Sequence, residues 1–126
     1  EKAATYASER VVFDRPIGAN QGIQFPIAKA YANAQAANLM TRKAAALFDA
    51  GKHCGAEANM AKLLASEASW EAADVCLQTF GGFGYAEEYD VERKFRETRL
   101  YRTAPISTNL ILAFLGQHVL GMPRSY

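Results

Sequence analysis

This sequence predicts an all-α fold, an antiparallel four-helix bundle of up-down-up-down order, on three observations. Apolar residues recur at helical spacing over long stretches, and β-branched runs with period-two alternation are absent. Twenty-four alanines let neighbouring helices approach closely. The 126 residues, half of them hydrophobic and 21% charged, suit one globular domain with a real core. A net charge of +1 supplies no field for drawing nucleic acid or an anionic membrane.

Residues Glu1 to Val12 read as the end of a helix, with Tyr6, Val11 and alanines among charged residues and no capping residue before them. Because the chain opens inside that helix and without an initiating methionine, a fragment of a longer protein is expected. Pro16 and Gly18 make a loop of residues 13–20. A second helix is expected from Phe25 or Pro26, since proline is tolerated in a first turn. Its apolar positions are Ile27, Ala30, Ala34, Ala37, Ala44 and Phe48, and Gly51 suits its C′ position. The third helix spans Ala56 to Phe80. It places Ala61, Leu64, Ala65, Ala68, Ala72, Val75 and Cys76 on one face and Glu57, Lys62, Glu67, Glu71 and Asp74 on much of the other.

Gln78-Thr79-Phe80-Gly81-Gly82-Phe83-Gly84-Tyr85 then closes that helix. One glycine past a helix is an ordinary stop, but three in four positions exceed what a stop requires. Two readings stay open: another chain packs very close, or a ligand reaches the bare backbone. The dinucleotide-binding glycine pattern is neither, because it follows a strand and opens a helix. Glu87, Glu88 and Asp90 lead into a short helix where Arg93, Arg96, Arg99 and Arg102 recur. The Glu92–Arg96 spacing favours a salt-bridged face over a nucleic-acid stripe.

Pro105 breaks the chain, and Ser107 or Thr108 caps a last helix whose residues Leu110 to Leu115 are apolar all round. One small bundle cannot cover that helix, so an oligomer partner or another domain is expected to pack there. The tail from Leu120 to Tyr126 reads as irregular. Cys54 and Cys76 read as buried thiols, and no spacing of His53, His118 and the cysteines suits a metal. No apolar run approaches the roughly 20 residues that span a bilayer. Nothing resembles a secretion signal.

In this order the landmarks resemble the C-terminal helical-bundle domain of the acyl-CoA dehydrogenases, over essentially all of residues 1–126. Glu9-Arg10-Val11-Val12-Phe13-Asp14-Arg15-Pro16-Ile17, with Gln21 shortly after, is similar to the family's E-R-x-x-F-G-x-x-I. Residues 78–85 are similar to Q-x-x-G-G-x-G-Y, and Glu92-Arg93 with Arg96-Glu97-Thr98 to an E-R followed by R-D-A. The resemblance implies an N-terminal helical domain, a middle β domain and this bundle, assembled as a dimer or tetramer. It implies α,β-dehydrogenation of an acyl-CoA, with a glutamate taking the α proton and FAD the β hydride. Electrons then pass to an electron-transfer flavoprotein.

Carried to matching positions, Arg10 would contact the FAD pyrophosphate, and Phe13 and Gln21 the adenosine half. Gln78, Gly81 and Gly82 would approach a cofactor held by the neighbouring subunit, while Ser107 and Asn109 would touch FAD just after the proline. The family's E-G-T segment, site of a catalytic glutamate in many members, aligns with Pro105-Ile106-Ser107. Other branches carry the base on the first helix of this domain, and Glu1 lies too close to Arg10 to match it. No catalytic residue is therefore assigned in this chain, which alone should hold FAD weakly. The alternatives are an acyl-CoA oxidase or flavin monooxygenase of the same superfamily, and a non-catalytic helical oligomerisation module. The resemblance places the protein in bacterial cytoplasm or the mitochondrial matrix.

Overall fold

Alanine spacing lets one long helix act as the centre on which the others converge. A computed structural model describes residues 1–125. Its helices are α1 (Lys2–Glu9), α2 (Gln21–Asp49), α3 (Gly55–Phe80), α4 (Val91–Leu100) and α5 (Thr108–Phe114), the last continuing into a π-helical turn at Leu115–Val119. The all-helical expectation is met. Lys29 lies 3.8 Å from Glu71 and Lys43 lies 3.2 Å from Glu57, so α2 and α3 run antiparallel. Asn33 donates to the same Glu71 carboxylate at 2.6 Å. The exposed lysines contribute little to stability. Burial of Ala30 and Ala37 on α2, and of Ala61 and Ala68 on α3, does more.

The single apolar face expected for α3 is not what forms. Ser66, Ala73 and Phe80 are buried on a different side from Ala61 and Ala68, while Leu64, Ala65 and Ala72 stay exposed. The reason is tertiary: α3 is packed by α1, α2, α4 and α5 from several directions. Its buried hydroxyls are satisfied within the helix, Ser66 donating to the Leu63 carbonyl and Thr79 to the Val75 carbonyl. Phe48, expected on the packed face of α2, is also exposed near the helix end. Both cysteines are free and half-buried rather than buried, and desolvation pushes the Cys76 thiol up.

Boundaries shift at the chain's start. α1 stops at Glu9, and Val11–Val12 (β1) pairs antiparallel with Arg15–Pro16 (β2). Phe13 and Asp14 make the two-residue turn with φ of 52° and 60°, the twist a tight hairpin favours. Helix α2 begins at Gln21, earlier than expected, with Asn20 at the N-cap position in an extended conformation and its side chain donating to the Ile17 carbonyl rather than capping. Pro26 consequently lies inside the helix, with no N–H to give the Gly22 carbonyl. Helix α5 buries Ile111 alone among its apolar residues and leaves Leu110 and Leu112 exposed. The chain thus covers one side of that helix only. No described helix is long and apolar enough to cross a membrane.

The glycine turn folds back on α3 as a 3-10 segment, Gly81–Tyr85. A Cβ on Gly84 would stand 2.8 Å from Leu77 Cδ1, 3.0 Å from the Leu77 carbonyl oxygen and 3.2 Å from Phe80 Cβ. The Gly84→Ala variant is therefore expected to lose about 1–3 kcal/mol. Urea unfolding measures this, and a variant as stable as the parent contradicts it.

Candidate functional site

Arg10 ends α1 in an extended conformation, held by main chain on both sides. Its N–H donates to the Tyr6 carbonyl at 2.8 Å, and its carbonyl accepts from the Ile17 N–H at 2.9 Å. So anchored, the side chain lines an open groove of about 500 Å³ with Tyr6, Val12, Ile17, Thr79, Phe80, Gly81, Gly82 and Phe83. The groove exists because α1 lies against the end of α3. Tyr6 stacks on Phe80 with ring centroids 4.0 Å apart, and Phe80 meets Tyr89 edge-on at 5.6 Å. Tyr89 also contacts Phe83 at 5.5 Å, and Lys2 donates to the Tyr89 carbonyl.

The Arg10 guanidinium lies over the Phe83 ring, 5.4 Å from its centroid. Among the described residues it takes no ion pair. The main chain beside it is open: a Cβ on Gly81 or Gly82 would meet nothing within 4 Å. Gly81 needs to be glycine for its φ of +58°. Gly82 has no such φ and no neighbour that crowds it, so nothing within this chain demands a glycine there. A cation on an aromatic face, with no ion pair among the described residues and uncovered main chain beside it, suits an anion, such as a pyrophosphate, presented from outside the chain.

Of the residues singled out in the sequence, the structure brings Arg10, Gly81 and Gly82 into this groove. Gln78 is on the other side of the glycine turn, in a depression lined by Asp74, Leu77, Gly81, Tyr85, Glu92, Phe95 and Arg96. Phe13 and Gln21 are outside the groove lining, Phe13 being 94% exposed at the hairpin tip. Ser107 and Asn109 sit well down α3. Lys62 donates to the Tyr101 carbonyl, and Phe114 is 3.9 Å from where Gly55 would carry a Cβ. Ser107 caps α5, accepting from the Leu110 N–H at 3.3 Å. Ala104–Pro105 is a cis peptide.

Sequence reasoning missed the aromatic lining, Tyr6, Phe80 and Phe83 with Tyr89 behind it. The available signal was the density of aromatics flanking the glycines.

The arginines of α4 are engaged within the chain. Arg96 pairs with Glu92 at 2.7 Å, as the spacing predicts, and Arg93 binds both Asp90 at 2.5 Å and Glu97 at 2.8 Å. The Arg93 hydrogen bond holds the Asp90 carboxyl below its ordinary range. Arg99 lies over the Trp70 ring at 5.5 Å. They form no basic stripe free for nucleic acid. No group of three or more His, Cys, Asp or Glu side chains suits a metal among the described residues.

Comparison with known proteins places these features. The family model described as "Acyl-CoA dehydrogenase, C-terminal domain" matches residues 1–119. Acyl-CoA dehydrogenase FadE12 of Mycobacterium tuberculosis is 46% identical over 99% of this chain and 33% of its own length. The structure of a glutaryl-coenzyme A dehydrogenase with glutaryl-CoA is similar at a TM-score of 0.92 and 34% identity, covering 98% of this chain and 32% of that one. An FAD complex of PigA is similar at a TM-score of 0.91 and 25% identity, covering 95% and 31%. The chain thus spans about a third of the length of the relatives it matches.

Proposed function

Because the chain belongs to the acyl-CoA dehydrogenase family, in its C-terminal domain, we propose that it serves an FAD-dependent enzyme dehydrogenating acyl-CoA thioesters at the α and β carbons. The observation that carries this reading is the Arg10 guanidinium, without an ion pair among the described residues, beside the open main chain of Gly81 and Gly82. Arg10 would bind the pyrophosphate of FAD, with the glycine main chain alongside. Because one protomer supplies both, they would address a single cofactor together, one held mainly by the neighbouring subunit. Phe13 and Gln21 would contact the adenosine half, and Gln78 would approach it from the far side of the turn. Ser107 and Asn109 would meet FAD through a separate part of the surface.

The FAD held by these residues would supply a hydride acceptor for the β carbon. This chain's residues bind and orient, and none of them takes the α proton. The segment matching the family's E-G-T is Pro105-Ile106-Ser107, with the Ser107 hydroxyl engaged as a helix cap. The base is therefore assigned to another part of the polypeptide. Leu110 and Leu112, exposed on α5, fit burial in a homo-oligomer. An electron-transfer flavoprotein is the proposed acceptor, in the bacterial cytoplasm or the mitochondrial matrix.

Proline at the glutamate position favours a second reading, an acyl-CoA oxidase or flavin monooxygenase of the same superfamily. Anaerobic addition of acyl-CoAs to the purified full-length protein separates them. Bleaching of the flavin with slow reoxidation by oxygen is the expected result. Rapid peroxide formation supports the oxidase, and a protein purified without flavin supports an oligomerisation module.

A further inference from the structure

Arg10 has a flexible side chain and, among the described residues, no carboxylate to hold it, yet a pyrophosphate clamp works best when its fork is already aimed. Among the described residues the restraint on its guanidinium is an aromatic face, the Phe83 ring 5.4 Å away. That ring, 44% exposed, contacts Tyr89 at 5.5 Å, and Tyr89 meets Phe80 edge-on at 5.6 Å. The ring lies between two glycines with different roles. Gly84 is crowded against Leu77 and locks the turn, while Gly82 is open to the groove.

We propose that Phe83 is a positioning residue: its ring holds the Arg10 guanidinium over the groove, oriented toward a nucleotide pyrophosphate. The inference rests on reading this groove as a flavin-nucleotide site. A cation on a ring face keeps its charge and the N–H groups at its edge, so Phe83 restrains Arg10 without competing with an anion, as a carboxylate would. The residue type at this position thus sets how much of the Arg10 charge is prepaid for binding.

The test is a double-mutant cycle on FAD affinity, measured by titrating the apo form of the full-length protein. Phe83→Leu is expected to weaken FAD roughly three- to tenfold, the range of a partly exposed cation–aromatic contact. Phe83→Tyr, which keeps the ring, restores the parent value. In an Arg10→Ala background Phe83→Leu changes affinity no further. If Phe83→Leu weakens FAD equally in both backgrounds, the ring acts through the fold of the turn and the proposal is overturned. If Arg10→Ala weakens FAD while Phe83→Leu leaves it at the parent value, the proposal falls and the groove reading stands. If neither variant changes FAD affinity, both fall.

Discussion

An Arg10→Ala variant of the full-length protein is expected to bind FAD roughly ten- to a hundredfold more weakly. That follows from losing charge-assisted hydrogen bonds, about 1.5–3 kcal/mol in total. The effect should be confined to the cofactor. Among the described residues Arg10 takes no ion pair, so removing its head strands none of their carboxylates. The main-chain bonds to Tyr6 and Ile17 survive any side chain. Thermal stability of the apo form should therefore move little, within about 0.5 kcal/mol. Arg10→Lys keeps the charge but loses the planar fork, and should fall between the two. Fluorescence titration with FAD measures all three, and an alanine variant with parent affinity contradicts the assignment.

A large effect on folding is expected at Ile111. It is 1% exposed and the largest fully buried side chain in a core otherwise made mostly of alanines. Ile111→Ala should cost about 2–5 kcal/mol, the transfer term plus the cavity left behind. In a domain whose total stability is about 5–15 kcal/mol, that is a severe loss. Helix α5 has only a few residues and two exposed leucines, so Ile111, with Phe114 near Gly55, anchors it to α3. Ser107 and Asn109 would be displaced with it. Chemical denaturation monitored by circular dichroism measures the change. A loss below about 1 kcal/mol would mean that α5 is held by something other than this side chain.

What could be read from the sequence follows the range of the forces involved. The span of α3 and its stop at Gly81 are local, set by periodicity and by one positive φ, and they were legible. The β1–β2 hairpin was not. Two-residue strands are too short to leave an alternating pattern, and Phe13-Asp14 lacks the Asn-Gly signature of its turn. The start of α2 was misplaced because Pro26 imitates a first-turn proline, whereas Asn20 marks the real N-terminus. The two buried sides of α3 depend on α1 and α4, which no window of α3 records.

Arg10 and the glycines were singled out separately. That they share one groove depends on Tyr6 stacking against Phe80, a contact between distant segments. Phe83 escaped because an aromatic beside glycines reads as core until Arg10 is seen above it.

The central claim concerns one contact, between the Arg10 guanidinium and a phosphate oxygen of FAD in the loaded oligomer. A structure of that assembly measures it directly. The account predicts a hydrogen-bonded distance of about 2.7–2.9 Å. It also predicts that Gly81 and Gly82 of the same protomer line the pyrophosphate, with the flavin ring held mainly by the neighbouring subunit. A cofactor whose phosphates lie outside the reach of Arg10, or a Gly81–Gly82 segment facing bulk solvent, would contradict it.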